Sequence, residues 1–122
     1  MEHCRRLFAH DPTKRFEQVD RYQDESAELA LSIDVVYHLV EDAVFQQHMR
    51  LVFDAARRFA IVYSSDVDLG VESVSHVRHR QFTDWVRANR PDFRLVQRVA
   101  DTTVTSNNQS PTAEFFVFER SL

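Results

Sequence analysis

The sequence predicts an α/β domain on a mainly parallel sheet, and three observations carry that prediction. Val40, Val44, Phe45, His48, Met49, Val52, Phe53 and Ala56 recur at helical spacing, the stripe of a helix that lies on a sheet. The run Phe59-Ala60-Ile61-Val62-Tyr63 follows directly and reads as a strand buried on both faces, as in parallel sheets covered by helices. Helical and strand patterns also alternate through the middle of the chain, which is the signature of strands joined by crossover helices.

The elements follow in order. Met1 to Ala9 sets Cys4, Leu7 and Phe8 at helical spacing, and Asp11-Pro12 is turn chemistry that ends the helix. Arg15 to Val19 alternates weakly around Phe16 and reads as a short strand, and Asp20 to Ser26 as a polar loop. Ala27 to Ile33 is an apolar run of strand length. The long helix then starts with Glu41 and Asp42 and ends with Arg57-Arg58, charges that complement its dipole. After Tyr63 the stretch Val67 to Arg80 reads as a polar loop. Thr83 is placed to cap a short helix, Asp84 to Asn89, with Pro91 just past its end. Arg94 to Ala100 and Ala113 to Glu119 are the closing strands, separated by a Thr/Asn/Ser-rich turn segment. With no helix between them, they are expected to pair antiparallel.

Composition narrows the function classes. The chain has 122 residues and ten phenylalanines, enough for one packed core. Its net charge of −4 gives no reason to expect a nucleic-acid partner held by phosphate neutralisation. Cys4 is the only cysteine, so an intrachain disulfide is excluded and a reducing, cytoplasmic setting is expected. No apolar run reaches membrane-spanning length, so no membrane partner is expected. Gly70 is the only glycine. Glycine-rich phosphate and dinucleotide loops need several, because the backbone must take positive φ and approach the ligand closely, so these residues contain no such loop.

Ligands of doubly wound sheets collect at the carboxyl ends of the strands. That rule points to Asp20 and Arg21, to Asp34 through His38, and to Ser64 through Asp66, with the His76–Arg80 loop as a cover. His38 is a candidate general base, or a polar residue packed near a helix start. Ser65 and His79 are candidate substrate contacts. Arg78 can bind an anionic group bidentately, or belong to a solvated basic loop. His48 lies on the apolar stripe and reads as core or boundary. His76-x-x-His79 has no cysteine or acidic cluster beside it, so no metal site is expected.

The stretches SIDVVYHLVED and HVRHRQFTDWV, with RRFAIVYSSD between them and RLVQRVA and EFFVFE closing the chain, resemble class I S-adenosylmethionine-dependent methyltransferases, in particular small bacterial members. The resemblance covers nearly the whole chain. It implies a partial Rossmann-like sheet with flanking helices, residues 1–122 forming one truncated domain that supplies the third through seventh strands. The opening MEHCRRLFAHDPTKRF then resembles the helix after strand two. The glycine-rich first strand and the second strand are the parts not seen. The implied activity is methyl transfer from S-adenosylmethionine to a small-molecule or sugar acceptor, no metal being needed. By resemblance Asp20 accepts from the adenine amino group, or is a turn aspartate. Asp34, with Val35, lies near the methionine part of the cofactor, or Asp34 is a cap. Tyr37 and His38 stand closest to the transfer. Two consequences follow. The chain alone is expected to lack a complete cofactor site, with a non-catalytic interaction module as the alternative. The strand 27–33 is also expected to present an open edge, through which a homodimer can form.

Overall fold

A computed structural model of the chain describes residues 1–69, 76–101 and 112–122. Gly70 and most of the Thr/Asn/Ser-rich segment lie outside the described residues. The elements are α1 (Glu2–Leu7), β1 (Ala27–Ile33), α2 (Asp42–Ala55), β2 (Ala56–Ser64), α3 (Phe82–Asn89), β3 (Phe93–Ala100) and β4 (Glu114–Arg120), with short 3₁₀ turns at Val19–Arg21 and Val36–His38. None of the described helices is long and apolar enough to cross a membrane.

The four strands form one sheet in the order β1-β2-β4-β3. β1 and β2 are parallel, whereas β4 is antiparallel to both of its neighbours. The expected antiparallel pairing of the last two strands is therefore present, and the expectation of a mainly parallel sheet is corrected to one parallel pair. The reason is topological. The crossover helices do make β1, β2 and β3 run the same way, but β4 returns between β2 and β3 and reverses both contacts.

α2 and α3 cover one face. α2 passes into β2 without a connecting loop, through fully buried Ala56. Its stripe sets Phe45, Met49, Val52 and Phe53 against Ala60 and Val62 of β2 and Phe116 and Phe118 of β4. Phe53 is the hub, meeting Phe93 at 5.0 Å and Phe118 at 5.4 Å in edge-on contacts. Phe82 of α3 meets Phe116 at 4.9 Å in the same way, and such pairs add to the burial itself.

Three local expectations are corrected. Arg15 to Val19 is not a strand. Phe16 stacks on Phe8 at 5.6 Å, and the Arg5 guanidinium donates to the Phe16 carbonyl, so this backbone is held by α1 and not by a sheet. α2 starts at Asp42 as expected but ends at Ala55, and Arg57 and Arg58, expected in its last turn, lie in β2, because the backbone turns extended at fully buried Ala56. Thr83 lies inside the first turn of α3 and does not cap it. Its N–H and hydroxyl donate to the two Asp66 carboxylate oxygens at 3.0 and 2.6 Å, so the cap comes from the end of β2.

Candidate functional site

The site is built where β1 and β2 end. The Asp34 N–H donates to the Tyr63 carbonyl at 3.2 Å, which carries the ladder one step past β1. Asp34 then takes φ 62°, a left-handed conformation that aspartate tolerates better than most residues. The turn redirects the chain into Val36–His38. Val36 is buried as a plug in the core, which leaves Tyr37 half-buried and His38 exposed at the rim.

The segment after β2 closes on this turn. The Arg78 N–H donates to the Tyr37 carbonyl at 2.8 Å. The His79 ring lies nearly parallel to Tyr37, 15° between planes and 6.0 Å between centroids, while Tyr37 meets His38 at 4.5 Å. His79 Nδ1 and the buried Ser65 hydroxyl share a hydrogen bond of 2.6 Å. Tyr37, His38, Ser65 and His79, drawn from three separate segments of the sequence, thus form one connected wall.

Arg78 and Arg80 tie the wall in place. The Arg78 guanidinium donates to Asp42 Oδ1 at 2.7 Å. The Arg80 guanidinium donates to the Leu39 carbonyl, to the Val40 carbonyl at 2.6 Å and to Asp42 Oδ1 at 3.2 Å, and stacks over the Phe45 ring at 4.5 Å. Burial pulls Arg80 below the usual arginine range, with Asp42 opposing the shift. Beside this strap a groove of about 250 Å³ opens between Gln46, Arg80, Asp84 and Trp85.

The opposite side of the same sheet end carries Tyr63, whose hydroxyl donates to Asp101 Oδ2 at 2.7 Å. That bond holds the phenol above its ordinary range, with a smaller contribution from the charge of Asp34.

Of the residues singled out from sequence, the structure brings together Asp34, Val35, Tyr37, His38, Ser65, Arg78 and His79. Asp20 does not join them. It lies exposed in the turn Val19–Arg21, in the segment that leads toward the amino end of β1, whereas Asp34 leaves the carboxyl end. His48 is the boundary residue that its place on the stripe suggests: Nε2 lies 2.7 Å from the Ser32 hydroxyl. Asp42 and Asp66, which fix the strap and the cap, carried no signal beyond acidic residues at a helix start and a strand end.

This sheet with its flanking helices resembles part of the fold of a methyltransferase. One solved structure that the chain is similar to is magnesium protoporphyrin IX methyltransferase from Synechocystis PCC 6803 with bound SAH, at a TM-score of 0.61 and 14% identity. The match covers 98% of this chain and 57% of that one, so the chain spans little more than half the length of its structural neighbour. At this identity the likeness is one of fold. No family model matches the sequence, and no curated protein matches it.

Proposed function

We propose that the chain is the acceptor-facing half of an S-adenosylmethionine-dependent methyltransferase fold, with the wall at the carboxyl ends of β1 and β2 facing a small-molecule or sugar acceptor. The observation that carries this reading is the convergence of Tyr37, His38, Ser65 and His79 at that end of a sheet that resembles part of a methyltransferase fold. In intact members of the fold the cofactor supplies a methyl group on a sulfonium.

The residues present do not fit that cofactor on their own. Asp34 and Val35 stand at the strand end, but Asp20 belongs to the other end of β1, and a chain with one glycine has no glycine-rich loop whose backbone could approach the cofactor closely. The residues of this chain serve the acceptor. Ser65 fixes the His79 ring, Tyr37 lies parallel to it, and together they make a rigid surface for a planar or sugar-ring group. Exposed His38, beside Tyr37, is the group that takes a proton from an acceptor oxygen or nitrogen. Positioning accounts for most of what such a wall contributes.

A second reading, a non-catalytic interaction module derived from this fold, is favoured by the single glycine and by the uncovered face of the sheet. Calorimetric titration with S-adenosylmethionine and S-adenosylhomocysteine tests the half-site reading. The folded chain is expected to give no saturable heat up to about millimolar ligand, where binding is worth only about 4 kcal/mol. Saturation at micromolar ligand would show a complete cofactor site in these residues and overturn it.

A further inference from the structure

We propose that two copies of this chain pair antiparallel along β1, edge to edge, about a two-fold axis at Ala30, joining two four-stranded sheets into one. This goes beyond the methyltransferase reading and does not rest on it.

The two edges of the sheet differ. β3 carries Arg94 and Arg98 and a register break between Leu95 and Gln97, devices that stop an edge from accepting another strand. β1, with the sequence AELALSI, has neither lysine, arginine nor proline, and its register break lies only at its amino end, between Ala27 and Leu29. Among the described residues β1 pairs with β2 on one side and with nothing on the other. It is the edge left open.

The strand is also complementary to itself. An antiparallel pairing centred on Ala30 sets Leu29 opposite Leu31 of the second copy and Ala27 opposite Ile33. Apolar cross-strand pairs of this kind stabilise a sheet. Glu28, the one charged residue of β1, then faces Ser32. Centring the axis on Glu28 would set two carboxylates against each other, so charge as well as overlap selects the register.

Exposed apolar surface lines this edge on the face that the helices leave uncovered. Leu29, Leu31 and Ile33 are 42%, 57% and 45% exposed on the open face. Contiguous apolar exposure of this kind marks an interaction surface. Seven paired residues at about 3.4 Å each make a joint about 24 Å long.

Sedimentation equilibrium of the full chain at about 100 μM, a concentration that detects weak association, is expected to give twice the 14.4 kDa chain mass. Leu31→Lys, at a position already exposed in one copy, is expected to return the mass to 14.4 kDa with an unchanged far-ultraviolet spectrum, a loss of at least about tenfold in association. Leu29→Lys is the second variant at the joint should the first disturb folding. Val99→Lys, on the same face but on the β3 side, is expected to remain a dimer. A monomeric wild-type chain, or a dimer that survives both lysines in β1, would overturn the proposal. So would a dimer that Val99→Lys dissolves, because the two sheets would then be packed face to face. No cofactor enters the measurement, so failure here leaves the reading of the fold untouched.

Discussion

The two faces of the sheet are made by the same strands and have opposite fates. On the helix side, the rows Ala30–Ala60–Phe118 and Ser32–Val62–Phe116 run across β1, β2 and β4, and all but Ala30 are at most 2% exposed. One residue along each strand, the rows Leu29–Phe59, Leu31–Ile61–Val117 and Ile33–Tyr63–Phe115 face the other way, with the β1 members about half exposed. The continuous apolar run at Phe59–Tyr63 predicts burial on both sides. The structure buries Ala60 and Val62 and leaves Phe59, Ile61 and Tyr63 partly open. Apolar patterning thus reports what a strand is suited to contact. It does not report whether the contact is present in the same chain. Stability therefore comes from one face, and the other is available for association.

The comparison breaks most visibly at Phe53. Its ring touches Phe93, Phe118 and Trp85 and is wholly buried. Phe53→Ala removes the hub and leaves a cavity, at a cost of about 3–5 kcal/mol. That is a large part of the total stability of a small domain, about 5–15 kcal/mol. Urea titration followed by tryptophan fluorescence of Trp85 is expected to show a much lower midpoint, or no folded baseline. A loss below about 1 kcal/mol would mean that the covered face is not the source of stability.

Asp66→Ala comes next. Thr83 is 8% exposed, so losing the carboxylate strands both its N–H and its hydroxyl at the start of α3. The expected cost is about 1–2 kcal/mol, read from the same titration. Asp66→Asn, which keeps one acceptor, is expected to recover part of it.

Both effects rest on contacts that differ greatly in how legible they were. α2 was readable because seven apolar positions and His48 at one spacing leave little freedom, and β1 and β4 because short apolar runs bounded by polar residues are strand-like. The strand expected at Arg15–Val19 rested on one aromatic residue, and Phe8 offered that residue a nearer partner than any sheet. The direction of the sheet depended on where β4 inserts, a long-range choice that no local pattern encodes. At the site, the rule of strand ends brought Tyr37, Ser65 and His79 into view. The partnerships that fix them, Asp42 with Arg78 and Asp66 with Thr83, join residues 36 and 17 positions apart. They have no spacing signature.

A smaller effect comes from the boundary between α2 and the open edge. His48 lies against Ser32, and burial holds its pKa below the ordinary imidazole value of about 6.5. In the unfolded chain the imidazole takes its proton near pH 6.5, whereas in the folded chain it does so only at lower pH. Stability is therefore full above about pH 6.5 and falls as the pH drops from there through the folded-state pKa. The slope from this one group is at most about 1.4 kcal/mol per pH unit. Urea midpoints measured across that window should decline in the wild type and flatten in His48→Asn. An equal slope in both chains would show that carboxylates or other histidines carry the effect.

The smallest effect sharpens the comparison from the open side. Leu31 is 57% exposed, so Leu31→Thr removes little buried surface from a single copy and keeps a residue suited to a strand. In dilute solution its cost is expected to be within about 0.5 kcal/mol, an order of magnitude below that of Phe53→Ala. If β1 also joins two copies, the wild type gains stability with concentration because association adds to the folded state by mass action. Leu31→Thr would gain less. Thermal midpoints taken at low and high protein concentration separate the two contributions. Coincident midpoints for the wild type at both concentrations would mean that the open face stays unpartnered. A rise that is confined to the wild type would assign to the exposed row the role of holding copies together, while the covered row holds each copy folded.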